Sequence, residues 1–273
     1  MPVYLVATDL SARGDRAVRR AFALARAHQA RLIVASAVDD DLPQALAAEL
    51  AAGAERTLAD VVAADPDRDA VEYETRMLRG DPSLAIATLA ATEAVDLLIL
   101  GAHRVRPVAD IFLDTTMLRI LRQVTCPVLL VRNPVAHPYR GILAATDFSP
   151  ASAAALRTAA ALVPDASIAA IHAFHVPFKG LMPRETAAPF LAEARSHEAE
   201  WRGRERLPER LGPVTFEEGP ATEVISEALA ATGADLIAVG AHSRAGMAAR
   251  LLGSFATMLI EAAPTDLIVA RPG

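Results

Sequence analysis

Val3-Tyr4-Leu5-Val6-Ala7-Thr8-Asp9, followed by Leu10-Ser11, returns later in the chain as Gly141-Ile142-Leu143-Ala144-Ala145-Thr146-Asp147, followed by Phe148-Ser149. Each stretch is a short apolar run that ends on a Thr-Asp pair and a serine. The pattern reads as a buried strand leading into a capped helix or loop. Leu98-Ile99-Leu100-Gly101-Ala102-His103 likewise recurs as Ile237-Ala238-Val239-Gly240-Ala241-His242, and Leu113-Asp114-Thr115 as Leu252-Gly253-Ser254. The offset stays at about 136–139 residues throughout. A repeat of that length is a whole small domain present twice, not a solenoid unit. The expected division is a domain over 1–133, a linker over 134–139 with Pro134 and Pro138, and a second domain over 140–273.

Between the repeated runs, apolar segments alternate with helical periodicity. Val3–Ala7, Leu32–Val38, Val71–Leu78, Leu97–Leu100 and Val128–Val131 read as strands. Arg13–Ala27, Leu42–Ala64, Pro82–Ala94 and Ile111–Gln123 read as the helices between them, with Pro82 suited to a first turn. The second copy places strands near 140–146, 166–173, 213–218, 235–239 and 266–270, and helices near 151–163, 184–207, 221–233 and 249–262. Apolar strands separated by helices predict an α/β fold, with a parallel sheet covered on both faces and right-handed crossovers. The three prolines between Val176 and Pro189 predict a surface excursion.

Composition removes several function classes. A net charge of −6 does not suit a general nucleic-acid binder, which would be basic. Cys126 is the single cysteine, so no intrachain disulfide can form. It precedes Pro127 and reads as a buried, inert thiol. Met1-Pro2-Val3-Tyr4 has no basic n-region, and the apolar runs are too short to span a bilayer; the expected location is the cytoplasm. Lys179 is the only lysine among 27 basic residues, so no G-x-x-x-x-G-K-[ST] phosphate loop exists. His172 and His175 fall on opposite faces of a strand or its end, with no third ligand nearby, and predict no metal site. No histidine is paired by pattern with a nucleophilic Ser or Cys, and no catalytic residue is assigned. The helix around Arg184–Arg210 reads as a solvated face of intrahelical ion pairs, with Trp201 as the one residue suggesting a partner anchor.

In open parallel sheets ligands bind beyond the carboxyl ends of the strands. Thr-Asp after the first strand, the end of the second strand and Gly-Ala-His after the fourth all converge there. In the second copy Gly240-Ala241-His242-Ser243 is followed, nine residues on, by Gly253-Ser254. A glycine behind a buried strand allows close ligand approach or positive φ, and a Gly-Ser pair opening a helix offers N–H groups, a hydroxyl and a positive dipole end.

Here the sequence resembles the universal stress proteins, whose nucleotide-binding members carry G-x2-G-x9-G-[ST] and an Asp after the first strand. The resemblance covers essentially all of both copies, with Ser243 in place of one glycine. It implies two five-stranded doubly wound domains, each with strand order 3-2-1-4-5. It also implies pairing of the halves about a pseudo-two-fold axis through Cys126–Val131 and Thr265–Ala270, leaving room for a further homodimer. By the same resemblance Asp147 meets the adenine end, Ala145 and Thr146 wall the base, and Ala173 touches it through its backbone. Gly240 and His242 border the ribose and phosphates, and Ser243, Gly253, Ser254, Phe255 and Ala256 hold the phosphates.

The first copy keeps Asp9, Gly101 and Thr115 but has Arg104 and Asp114 at the two later glycine positions. A carboxylate there repels phosphate, and Arg104 is expected to pair with Asp114 and fill the vacated site. No nucleotide is expected in that half, although Asp9 leaves an adenine-type pocket without phosphates open. The leading expectation is a stress-responsive regulator that binds ATP or a related adenine nucleotide, with or without Mg2+, in its second half. It acts by binding and not by turnover, although weak hydrolysis or phosphate transfer stays open. The runner-up is a nucleotide-free interaction or scaffold protein with both sites degenerate. An adenylate-forming or nucleotidyl-transferring enzyme ranks behind both for want of a Lys- or His-bearing motif. The bland readings are helix capping for Asp9 and Asp147, inherited turn geometry for Gly240, Gly253 and Ser254, and loop packing for His103 and His242.

Overall fold

The computed structural model describes residues 1–39, 44–102, 115–176, 187–242 and 252–272. Two compact units emerge, Met1–His137 with Ile260–Asp266 and Pro138–Leu259 with Leu267–Gly273. His103, Arg104, Asp114, Lys179 and Ser243 lie outside the described residues.

The first half runs β1 (Val3–Ala7), α1 (Ala12–His28), β2 (Arg31–Val38), α2 (Gln44–Ala63), a short 3-10 turn (Arg68–Ala70), β3 (Tyr73–Arg79), α3 (Pro82–Thr92), β4 (Leu97–Gly101), α4 (Thr116–Gln123) and β5 (Val128–Val131). Its strands lie in the order β3-β2-β1-β4-β5. Neighbouring strands pair in parallel, with Leu5 opposite Ile33 and Leu98. The central strands carry side chains that both faces bury: Leu5, Ile33, Leu98, Ile99 and Leu129 have no exposed surface. Burial of such aliphatic side chains stabilises by roughly 1.5–3 kcal/mol each. Only the edge departs from the expectation of a sheet covered on both faces. β3 is mostly exposed or half-buried, and its Glu74 is held by Arg31 at 2.9 Å.

The second half runs β6 (Gly141–Ala145), α5 (Pro150–Leu162), β7 (Ser167–Phe174), α6 (Ala187–Arg204), β8 (Val214–Glu218), α7 (Ala221–Thr232), β9 (Leu236–Gly240), α8 (Ser254–Glu261) and β10 (Asp266–Ala270). Its strand order, β8-β7-β6-β9-β10, repeats the first half's. Each half is therefore a doubly wound parallel sheet, which puts the loops after the first and fourth strands side by side at one edge.

The helix boundaries follow local chemistry. Pro150 and Pro82 occupy first turns, after Ser149 and Asp81 as N-caps. α7 ends at Gly233 in the left-handed region, φ 64°. The matching position behind α3 is Ala94, left-handed at φ 48° without glycine's freedom.

One reading of the charged helix is overturned. Trp201 has no exposed surface. Its indole N–H donates to Ser149 O at 3.2 Å, and its ring meets Phe148 edge-on. It anchors α6 to its own domain, in a cluster with Leu156, Leu211 and Val214, and offers nothing to a partner. The solvated part of the same helix does carry an i,i+4 pair, Glu198 with Arg202 at 2.7 Å.

Candidate functional site

The Thr-Asp-x-Ser stretch makes the same two turns in both halves, and its own side chains dictate the shape. Thr8 Oγ1 accepts from Leu10 N at 3.0 Å, and Thr146 Oγ1 accepts from Phe148 N at 3.0 Å. One residue on, Asp9 Oδ1 accepts from Ser11 N at 3.0 Å, and Asp147 Oδ1 from Ser149 N at 3.1 Å. Two overlapping turns of this kind force the residue between them into the left-handed region: Leu10 at φ 57° and Phe148 at φ 62°. The serines, not the aspartates, cap the helices, with Ser11 accepting from Gly14 N and Ser149 from Ser152 N. Each aspartate thus spends one oxygen on the loop. The other oxygen has no partner among the described residues.

In the second half this loop borders a cleft of about 210 Å³. Its lining includes Ala145, Thr146, Asp147, Ala173, Gly240, His242, Gly253, Ser254, Phe255 and Ala256. Ile171, His172, Ala221, Ile225 and Val239 also line it, and the sequence reading did not assign them to the site. Ile225 and Ala221 come from α7, whose start at Pro220 beyond β8 was the available clue. His172 was weighed only as a metal ligand. Its Nδ1 donates to Thr146 O at 2.8 Å, and its ring stacks on Phe148 with centroids 4.5 Å apart. His242 is held from its other side by Arg271, whose Nη1 donates to Nε2 at 2.5 Å. In the neutral imidazole the proton then sits on Nδ1. Burial pulls the Arg271 guanidinium below the usual arginine range.

Two glycines act differently from the ligand-contact expectation. Gly240 neither shows positive φ nor stands beyond the strand; it is the last residue of β9. A Cβ there would lie 2.6 Å from Ser152 N and 2.7 Å from Ala151 C, so glycine lets the first turn of α5 press against the sheet. Gly253 donates its N–H to Ala241 O at 2.8 Å and accepts from Thr257 N at 2.9 Å. Its own N–H is therefore closed to phosphate. Those of Ser254, Phe255 and Ala256, in the first turn of α8, have no intrahelical acceptor, and Ser254 is exposed.

The first half has its own cleft, about 530 Å³, lined by Asp9, Gly101 and Thr115 together with Arg13, Gly14, Pro82, Ile86, Met117 and Ile120. Thr115 Oγ1 caps α4 by accepting from Leu118 N at 3.3 Å, whereas its counterpart Ser254 keeps an exposed hydroxyl. The expected pairing of Arg104 with Asp114 lies outside the described residues.

Both halves match the Universal stress protein family, over residues 3–132 and 138–271. The chain belongs to that family. A curated universal stress protein of Thermus aquaticus, encoded in the QAH/OAS sulfhydrylase 3′ region, is 36% identical over 138 residues, covering 47% of this chain and 96% of the relative. Among solved structures, a universal stress protein from Archaeoglobus fulgidus superposes with a TM-score of 0.71 at 19% identity, covering 99% of this chain and 98% of the other. A functionally unknown protein from Pseudomonas aeruginosa PAO1 gives 0.63 at 23% identity, covering 100% and 93%. At such identities these structures speak for the fold alone. They agree with a tandem universal stress protein of two doubly wound domains.

Cys126 is half-buried, and burial pushes its thiol up to about 11. Among the described residues, no group of three His, Cys, Asp or Glu side chains could hold a metal ion. No described helix is long and apolar enough to cross a membrane.

Proposed function

We propose that the chain is a stress-related regulatory protein that binds ATP or a related adenine nucleotide in the cleft of its second half. The observation that carries the reading is convergence. A carboxylate oxygen of Asp147, the apolar walls Ile171, Ala173, Ile225 and Val239, and the open first turn of α8 all face one cleft. Asp147 would accept from the adenine amino group, the walls would take the base, and Ser254, Phe255 and Ala256 would donate to phosphate. Mg2+ would accompany the phosphates and not a protein cluster. We read the action as binding without turnover: His172 is committed to Thr146 O and His242 to Arg271. The expected site of action is the cytoplasm.

The nucleotide-free scaffold stays as the second reading because two observations favour it. Packing accounts for Gly240 and a hydrogen bond to Ala241 O for the Gly253 N–H, and the cleft is smaller than the roughly 300–1,000 Å³ common for organic ligands. Mass spectrometry of nucleotide extracted from purified protein, followed by calorimetry with ATP with and without Mg2+, separates the two. Carry-over of adenine nucleotide and saturable binding that Gly253→Asp abolishes support the proposal. No carry-over and no rise in melting temperature at millimolar ATP would overturn it in favour of the scaffold.

A further inference from the structure

The outer strand of the first half presents an edge that fits a second copy of itself. β3 closes the order β3-β2-β1-β4-β5, and its neighbour among the described residues is β2. Leu32 N donates to Glu72 O at 2.9 Å and Gly80 N to Val38 O at 3.1 Å, so the even-numbered residues of this stretch turn their backbone groups inward. Alternation sends the N–H and C=O groups of Tyr73, Thr75, Met77 and Arg79 outward. Tyr73, Thr75, Arg76 and Arg79 are exposed. Natural edges are blunted by proline, lysine, bulges or shortness. β3 has none of these: its seven residues hold an unbroken register, from Tyr73 opposite Leu32 to Arg79 opposite Val38. The charges at its centre are already balanced, since Glu74 pairs with Arg31 and Arg76, and Arg76 also with Glu93.

Self-complementarity selects both the occupant and the register. Two copies of one edge pair antiparallel about a two-fold axis normal to the sheet, which sets one residue opposite itself. Centring on Glu74, Arg76 or Arg79 opposes like charges, and centring on Tyr73 opposes Glu72 to Glu74. Centring on Met77 or Leu78 brings no opposite charges together. Centring on Thr75 sets Glu74 opposite Arg76, and Tyr73 opposite Met77, on both sides of the axis. Tyr73, Thr75 and Met77 carry the outward backbone groups, so they make the hydrogen-bonded pairs. Glu74 and Arg76 then fall in the non-hydrogen-bonded pairs, where side chains of an antiparallel ladder stand closest. We propose that β3 docks β3 of a second copy of this chain, antiparallel and centred on Thr75. The second half lacks the device: counted back from Gly80 and Gly219, Pro213 and Thr215 stand in place of Glu74 and Arg76. The junction uses neither cleft and needs no nucleotide.

Sedimentation velocity of the full chain across a concentration series should show a reversible monomer–dimer equilibrium. No larger species is expected, because a two-fold junction closes on itself. Arg76→Glu and Glu74→Arg each turn both cross-strand pairs into like charges, and each should weaken dimerisation about ten-fold or more. An equimolar mixture of the two variants restores opposite charges across the junction and should dimerise as the parent does. Thr75→Pro removes an outward N–H, which an edge strand tolerates, so the circular dichroism spectrum should stay while the dimer is lost. That variant carries the test should Glu74→Arg disturb the fold beside Arg31. A chain that stays monomeric at millimolar concentration, or a dimer that Thr75→Pro and Arg76→Glu leave intact, overturns the proposal. So does growth beyond the dimer, or a mixture of the two folded charge variants that dimerises no better than either alone.

Discussion

Gly240→Ala tests whether the glycine that ends the fourth strand of the second half is held by packing or by a ligand. The added Cβ would stand 2.6 Å from Ser152 N, 2.7 Å from Ala151 C and 2.9 Å from Ala151 Cβ. Ordinary contact begins near 3.4 Å, so the first turn of α5 must retreat by about 0.8 Å. Two of the three obstacles are backbone, and no rotamer relieves them. That turn also carries the Ser149 cap and the carbonyl that receives Trp201, so the displacement spreads into the core. Overpacking of this kind costs about 1–3 kcal/mol, and the upper end is expected here. The duplicate supplies the control. At Gly101 the nearest atoms are 3.0, 3.1 and 3.3 Å away, so Gly101→Ala should cost roughly 1 kcal/mol or less. Trp201 is the sole tryptophan and lies in the second half, so its fluorescence during urea unfolding reports that half, while circular dichroism reports both. Gly240→Ala should lower the fluorescence midpoint strongly, and Gly101→Ala should leave it in place. A Gly240→Ala protein within about 0.5 kcal/mol of the parent, with nucleotide affinity lost, would refute packing as the reason for this glycine.

Ala94→Gly should stabilise the first half by up to about 1 kcal/mol, because Ala94 holds at φ 48° the turn that Gly233 holds at φ 64°; circular dichroism should show it with the tryptophan transition unmoved. Asp81 is held at about 2 by Ser83 Oγ, Leu84 N and Arg119, below the ordinary 3.8. Its contribution to stability is therefore present above about pH 4 and lost as pH falls through 2. Asp81→Asn should flatten the acid limb of the stability profile, and an unchanged limb would count against that cap. Cys126 should resist iodoacetamide at neutral pH and react only as pH approaches 11, which a mass-spectrometric time course would check.

How far the chain could be read without a structure depended on which contacts are local. The α/β class and the two halves needed only the alternation of apolar runs with helical periodicity and the repeat of Thr-Asp-x-Ser; the strand order rested on the resemblance to the universal stress proteins. Trp201 was misread because α6 buries only Ala194 and Trp201, so no apolar stripe marks its inner face, and the acceptor Ser149 O lies 52 residues away. The assigned residues within the described part of the second half do line one cavity, Ser243 lying outside it, but His172, Ala221 and Ile225 escaped. Nothing in their spacing ties them to Asp147; only the pairing of β6 with β7 and the packing of α7 beside them does so. Gly240 was assigned to ligand approach because a sequence cannot show that a helix turn already occupies the space a Cβ would need.

The duplicated loop bears on what counts as evidence for a ligand. Thr-Asp-x-Ser makes the same two turns in both halves, with Leu10 and Phe148 held left-handed, although the halves differ at later motif positions. A feature required to turn the chain from strand into helix would persist whether or not anything binds. Asp9 and Asp147 therefore discriminate poorly, and so does Gly240. Residues that the turn and the packing do not need discriminate better. Ser254 is one: Thr115 in its place spends its hydroxyl on a cap, while Ser254 leaves its own exposed. Position 13 differs as well: Ala151 in its place is buried against Gly240, while Arg13 is half-buried among the residues that line the first-half cleft. The halves thus share a scaffold and differ in what their clefts can recognise. Exchanging Ser254 and Thr115 should alter phosphate affinity in the second half with little change in its tryptophan unfolding midpoint. A shift in the midpoint with affinity intact would return Ser254 to a purely structural role.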